Sequence, residues 1–229
     1  MDRLLISGGR SLSGTIAIKS AKNAILPIMA ATLLAEGDFI IHNCPNISDI
    51  QTMGKMLDEL GGKYQFIEGN IYIDSSSADK YIISTELAKE LRSSIFLLGG
   101  VLGRCKKAVI PYPGGCDIGM RPINIHLKGF AEMGVKIEER HGLIYCDSEK
   151  AHAADVTLDY PSVGATENLM LLAALTKGHT IIRNVAKEPE IVDLQNFLNA
   201  MGAKIYGAGN GAIIIEGKEK LRAIEYTPI

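Results

Sequence analysis

No stretch of this sequence is apolar for long enough to cross a bilayer. The longest apolar run, Ala24 to Leu34, is broken by Pro27 and Thr32 and falls short of the roughly 20 residues that a spanning helix needs. The segment Met1 to Ser7 lacks the long apolar stretch and small-residue cleavage site of a signal peptide, so a cytoplasmic protein with no membrane partner is expected. An excess of one charge is missing too. The formal net charge is -2 and no polybasic run occurs, so nothing marks a nucleic acid as partner. The cysteines, Cys44, Cys105, Cys116 and Cys146, include no C-x-x-C pair, which argues against zinc or redox pairing. A reducing compartment argues against structural disulfides. His42, His126, His141, His152 and His179 are scattered without ligand spacing. Neither a metal nor another cofactor is expected.

What is present is an ordinary globular composition, 47% hydrophobic and 22% charged over 229 residues, enough to bury a core. Its organising feature is a repeat. Gly37, Asn43, Ile50 and Gly61 each recur 141 positions later, as Gly178, Asn184, Ile191 and Gly202. The gapless match covers about fifty residues, and a constant offset of that length marks a true repeat. A more diverged copy lies between the two, where Met133-Gly134-Val135-Lys136 answers Leu60-Gly61-Gly62-Lys63 and Met201-Gly202-Ala203-Lys204.

Each copy reads helix, strand, helix, strand, strand, over about 22–75, 90–147 and 160–217. The first helix of each is apolar on all sides (Ile25 to Leu34, Ile95 to Leu102, Leu169 to Leu175) and must be buried. The second carries a one-sided stripe such as Ile50, Met53, Leu57 and Leu60. Three such units predict an α+β domain over 22–229 with pseudo-threefold symmetry, helices inside and sheets outside. Residues 1–21 belong to no unit. There the pattern predicts two strands, Leu4–Ser7 and Thr15–Lys19, joined by a glycine-rich turn.

Several segments carry candidate chemistry. Prolines and glycines from Pro111 to Pro122 put Cys116 on a loop between a strand, Lys107–Ile110, and a helix starting near Pro122. The residues alone leave Cys116 open between a reactive thiol, its pKa lowered if Arg121 approaches, and an incidental Cys in a connector. Lys22-Asn23 opens the first apolar helix. A lysine there is disfavoured by the helix dipole unless an anion is bound; the alternative is a solvated lysine beside an Asn cap. Ser162-Val163-Gly164 is the repeat equivalent, suited to approach of polar ligand groups or simply a good cap. Arg92 holds the same place in the middle unit. Threefold symmetry would gather these three helix starts at one end, in reach of a phosphate-rich ligand. Lys187-Glu188-Pro189-Glu190 reads as a helix start capped by its acids.

The segments Ala21-Lys22-Asn23 with Leu26-Pro27, Arg92-Ser93-Ser94-Ile95, Pro113-Gly114-Gly115-Cys116, Arg121-Pro122, His126, Ser162 to Asn168 and Glu188-Pro189-Glu190-Ile191 resemble, together and along the whole chain, the UDP-N-acetylglucosamine 1-carboxyvinyltransferase family. The resemblance implies an inside-out α/β barrel of two domains, with phosphoenolpyruvate and UDP-N-acetylglucosamine bound in the cleft between them. It implies that Lys22 and Arg121 bind the phosphoenolpyruvate phosphate and that Cys116, on a mobile loop, is the general acid. Asn23, Arg92, Arg121, Pro122, Ile123, Asn124, Ile125, Ser162, Val163 and Gly164 would hold the UDP-sugar.

This sequence departs from the family in length, since the family is nearly twice as long and carries its general base, an aspartate, in the second half. The chain is therefore expected to be an N-terminal half whose partner is the C-terminal half, with residues 1–21 packing on it. Asn124 stands where an aspartate is usual. A UDP-sugar-binding module without catalysis, a shikimate-phosphate enolpyruvyl transferase and a purely structural protein are the competing readings.

Overall fold

A helix that is apolar all round has no face to offer water, and the three segments of that kind form the middle of the molecule. The structure, a computed structural model, describes residues 3–112 and 123–229. The first unit comprises α1 (Lys22–Ala31), a 3-10 turn (Thr32–Leu34), β1 (Asp38–Ile41), α2 (Ser48–Glu59), β2 (Lys63–Ile67) and β3 (Asn70–Asp74). A short helix that the sequence pattern did not predict, α3 (Thr85–Glu90), leads to the second unit. That unit has a 3-10 turn (Arg92–Phe96), α4 (Leu97–Cys105), β4 (Lys107–Pro111), α5 (Asn124–Glu132), β5 (Lys136–Arg140) and β6 (Leu143–Asp147). After β7 (Asp155–Thr157) comes the third: α6 (Val163–Ala174), β8 (His179–Arg183), α7 (Pro189–Ala200), β9 (Lys204–Tyr206) and β10 (Ala212–Glu216). β11 (Glu225–Tyr226) follows. The order helix, strand, helix, strand, strand occurs three times, as the repeat requires.

The repeat extends to single backbone angles. Asn43 and Asn184, matched by the offset, both adopt the left-handed conformation directly after β1 and β8, with φ of 58° and 54°, a region asparagine tolerates better than most residues. The hairpins β2–β3 and β5–β6 turn on two residues each, Glu68-Gly69 and His141-Gly142, all with positive φ. That matches the turn whose twist suits a two-residue hairpin.

Each unit folds its strands into an antiparallel sheet: β1-β3-β2, β4-β6-β5 and β8-β10-β9. Alternation sets which face is buried. In the first sheet Phe39 lies opposite Ile73 and Ile41 opposite Ile71, all four turned into the core. Each first strand also gains a parallel neighbour from the linker that follows the preceding unit. β7 pairs with β8, Ile82 bridges to Val109 of β4, and β11, after the third unit, pairs with β1 of the first. The handover is therefore cyclic. Among the described residues the sheets stay separate and none closes into a barrel.

The buried helices pack closely because α4 is glycine-rich. A Cβ on Gly99 would lie 2.4 Å from the carbonyl oxygen of Asn168 in α6, and one on Gly100 would lie 2.6 Å from that of Ala30 in α1. Neither position has room for a side chain, so these two glycines let α4 sit between its neighbours. The closure between third and first units is aromatic. Phe197 of α7 lies tilted at 6.2 Å from Phe39 and edge-on at 5.3 Å from Tyr226, within the range where ring pairs attract. The Tyr226 hydroxyl donates to Asp193 at 2.6 Å, and Asp193 also accepts the Ile229 N–H. The Ala21 N–H and the Ser20 hydroxyl donate to the carbonyls of Ile229 and Pro228, which ties the start of α1 to the end of the chain.

The predicted strands Leu4–Ser7 and Thr15–Lys19 do not form: residues 3–21 hold no strand. A strand needs a hydrogen-bonding neighbour, and none of the three sheets offers these residues an edge that they take. Their apolar side chains stay in water, with Leu5 98% and Leu12 96% exposed. Among the described residues no helix is long and apolar enough to cross a membrane.

Candidate functional site

The starts of the three buried helices meet at one end of the domain, around a cavity of about 750 Å³. Asn23 comes from the first turn of α1, Arg92 and Ser93 from the 3-10 turn before α4, and Ser162, Val163 and Gly164 from the start of α6. Ile123, Ile125 and His126, at the start of α5, complete that side. The opening N–H groups of a helix have no partner inside it and carry partial positive charge, so this wall favours anions and hydrogen-bond acceptors. The Ser162 hydroxyl satisfies one of them by accepting the Ala165 N–H. Pro27 adds to the polarity of the α1 end. It has no N–H to give the Asn23 carbonyl, which therefore lacks its usual helical partner.

Lys22 sits at the first position of α1, where the residue before it, Ala21, offers no side-chain cap. It does not line the cavity. Its ammonium pairs with Asp49 of α2 at 2.9 Å, which is how the fold offsets a cation at the wrong end of a helix. Asn23 does not serve as the cap; its place is in the cavity wall. Asn124 opens α5 and is exposed; it is not part of that wall. Cys116, Arg121 and Pro122 lie outside the described residues.

The lining is also acidic. Glu188 occupies the position before α7 but makes no side-chain cap, and Glu190 follows in the first turn. Both residues line the cavity, whereas the sequence pattern points only to helix caps. Glu167 lines the cavity too and is fully buried, with no hydrogen-bond partner for either oxygen among the described residues. Burial, then the charges of Glu190 and Glu188, holds its carboxyl well above the usual carboxylate range, so it carries its proton where ordinary carboxylates are ionised.

His126 is the reverse case. Burial and the nearby Arg92 hold its imidazole down at about 4. Its Nδ1 lies 2.9 Å from the Asn168 amide nitrogen. No metal-holding group of His, Cys, Asp or Glu occurs among the described residues.

Sequence reasoning missed Glu167 and His126 as pocket residues. The available signal was the polar run Thr166-Glu167-Asn168 inside an otherwise apolar helix. Thr166 is absorbed by structure, since its hydroxyl donates to the Ser162 carbonyl and accepts the Ala186 N–H. The next two residues have no such purely local use.

The fold that brings these helix starts together has counterparts among solved structures. The enolpyruvyl transferase NikO from Streptomyces tendae superposes with a TM-score of 0.83 at 22% identity, over 97% of this chain and 53% of that one. EPSP synthase from Acinetobacter baumannii superposes with a TM-score of 0.71 at 17% identity, over 93% and 49%. The fold is that of the enolpyruvyl transferases.

The family model described as EPSP synthase (3-phosphoshikimate 1-carboxyvinyltransferase) matches residues 6–228, and the chain belongs to this family. It is 51% identical over its full length to UDP-N-acetylglucosamine 1-carboxyvinyltransferase 2 of Caldanaerobacter subterraneus and 44% identical to the protein of the same name from Bacillus subtilis. The chain spans about half the length of the curated relatives it matches, 55% and 53% in these two.

Proposed function

We propose that this chain supplies one half of the active site of a UDP-N-acetylglucosamine 1-carboxyvinyltransferase, acting in the cytoplasm on a precursor of peptidoglycan. The observation that carries the reading is the 51% identity, without omission of any part of this chain, to a relative of that name. It is supported by a cavity whose basic and N–H-rich wall suits a nucleotide diphosphate. The sugar 3-hydroxyl attacks C2 of phosphoenolpyruvate while C3 takes a proton, and the tetrahedral intermediate then loses phosphate.

Cys116 is the acid toward C3, because protonation there leaves cationic character at C2 that only a positioned donor can bring about. Lys22 and Arg121 clamp the departing phosphate; Lys22 exchanges its Asp49 partner for it. Asn23, Arg92, the segment from Arg121 to Ile125, and Ser162 to Gly164 hold the UDP-sugar. The general base comes from the other half of the longer relatives. Residues 1–21, which leave apolar side chains such as Leu5 and Leu12 exposed here, pack against that half, while 22–229 stands as the three-unit domain.

The test is phosphate release from phosphoenolpyruvate with UDP-N-acetylglucosamine or shikimate 3-phosphate as acceptor, with and without the other half supplied as a second chain. Release with the UDP-sugar and both halves is expected. Release with shikimate 3-phosphate instead would assign the chain to the other acceptor. UDP-sugar binding without turnover under any of these conditions would leave a binding module.

A further inference from the structure

Asn168 is fully buried in the second turn of α6, and its amide orientation is fixed by two backbone groups that allow no choice. The atom 2.7 Å from the Gly99 N–H must be the oxygen, since a backbone N–H only donates. The atom 2.9 Å from the Ile95 carbonyl must be the nitrogen, since a carbonyl only accepts. The second hydrogen of that nitrogen is left for His126 Nδ1 at 2.9 Å. A ring nitrogen facing an N–H donor at this distance is bare, because an imidazolium would set two N–H groups head to head. The ring is then neutral, with its hydrogen on Nε2.

The Nε2 edge lies beside the opening turn of α6: a Cβ on Gly164 would sit 3.5 Å from it. Both residues line the cavity.

We propose that Asn168 is a positioning residue that locks His126 as a neutral imidazole and presents its Nε2–H to the cavity as a donor for a ligand oxygen. The identity of that ligand rests on the UDP-sugar reading; the lock does not. The chemistry has a clear use. Arg92 already brings a cation to this wall, and a second one beside it would be repelled, whereas a neutral N–H adds a donor at no electrostatic cost. The low pKa of His126 agrees, with the same Arg92 contributing to it. The fold itself does not require the amide, since the repeat places Pro27, with no polar side chain, at the matching position of α1. The close approach of α4 and α6 at Gly99 is what brings the amide within reach of both backbone groups.

The experiment is nitrogen-15 NMR of the histidine-labelled chain at neutral pH, with long-range proton–nitrogen correlations identifying the protonated ring nitrogen. The wild type is expected to show bare Nδ1 and protonated Nε2 at His126. Asn168→Asp still accepts the Gly99 N–H but turns an acceptor toward His126, so protonation of Nδ1 is expected. A protonated Nδ1 in the wild type overturns the lock, and so does an Nδ1 still bare in a folded Asn168→Asp. If that variant does not fold, the wild-type spectrum alone decides.

Titration with UDP-N-acetylglucosamine is then expected to shift Nε2, and the affinity of Asn168→Asp to fall roughly tenfold, the loss of one hydrogen bond to a charged group. Binding that leaves Nε2 unmoved overturns the donor role. No binding by a wild type showing the expected tautomer counts against the UDP-sugar reading and supports the lock as an independent feature.

Discussion

Helices α1 and α6 are copies of one element, yet they treat polarity differently. Leu26 of α1 is matched by Glu167 of α6, Pro27 by Asn168 and Ile28 by Leu169. All six are buried. From Ala24 to its end α1 carries no polar side chain, and that suffices to make a central helix. In α6 the same space holds an acid with no hydrogen-bond partner among the described residues and an amide with three. An unpaired buried carboxyl costs stability, so its retention in one copy reflects the cavity it faces and not the demands of the fold. What is shared by the two helices serves folding; what differs serves the site.

The widest separation between interior and site should appear in the thiols. Desolvation pushes Cys44 and Cys146 up to about 12 and also raises Cys105. An ordinary thiol near about 8.5 holds on the order of a thousandfold more thiolate at neutral pH than one at the upper figure. Brief alkylation followed by peptide mapping should therefore label Cys116 well before Cys44 and Cys146, and equal rates would end its assignment as the reactive thiol.

Next comes the shared apolar framework. Ile28→Ala and Leu169→Ala should each cost about 2–5 kcal/mol in urea denaturation, since both side chains are fully buried. A loss in one helix only would break the equivalence of the copies. Gly100→Ala, which sets a methyl against the Ala30 carbonyl, should cost about 1–3 kcal/mol by overpacking. Ser162→Ala should cost about 1 kcal/mol by loss of a cap that α1 does without.

The smallest change in shape is Glu167→Gln, and its effect depends on pH. Because the folded-state pKa of Glu167 is raised above 4.5, the stability of its protonated form is fully present below that value and is lost as pH rises through the folded pKa. Wild type and variant should have similar urea midpoints below about pH 4.5, with the variant gaining as pH rises above it. A gap that ignores pH would mean that the carboxyl is already ionised in the fold.

The three units were legible because burial and repetition both leave marks along the chain. The all-round apolar helices, the strand pairs and the recurring Gly37 and Asn43 positions all announce themselves locally. The linker strands did not, since β7 and β11 span three and two residues, too short for alternation to register. Leu4–Ser7 and Thr15–Lys19 failed for the opposite reason. Their pattern is strand-like, but a strand is a pairing, and pattern alone does not provide the partner. At the site, Asn23, Arg92 and Ser162 could be grouped because the repeat aligns them. His126 looked scattered because Arg92, from the opening turn of its own unit, and Asn168, from the third unit, are brought to it only by folding. Nothing in the sequence foretold that Lys22 would be held by Asp49.

The pairing of β11 with β1 has a consequence for how the chain is made. Synthesis runs from the first unit to the third, so the outer edge of β1 waits unpaired until Glu225 and Tyr226 have left the ribosome. The Phe39–Phe197–Tyr226 cluster waits as long. The second and third sheets receive their linker neighbours from segments already translated. The first sheet, although the earliest to be synthesised, is thus the last to be completed.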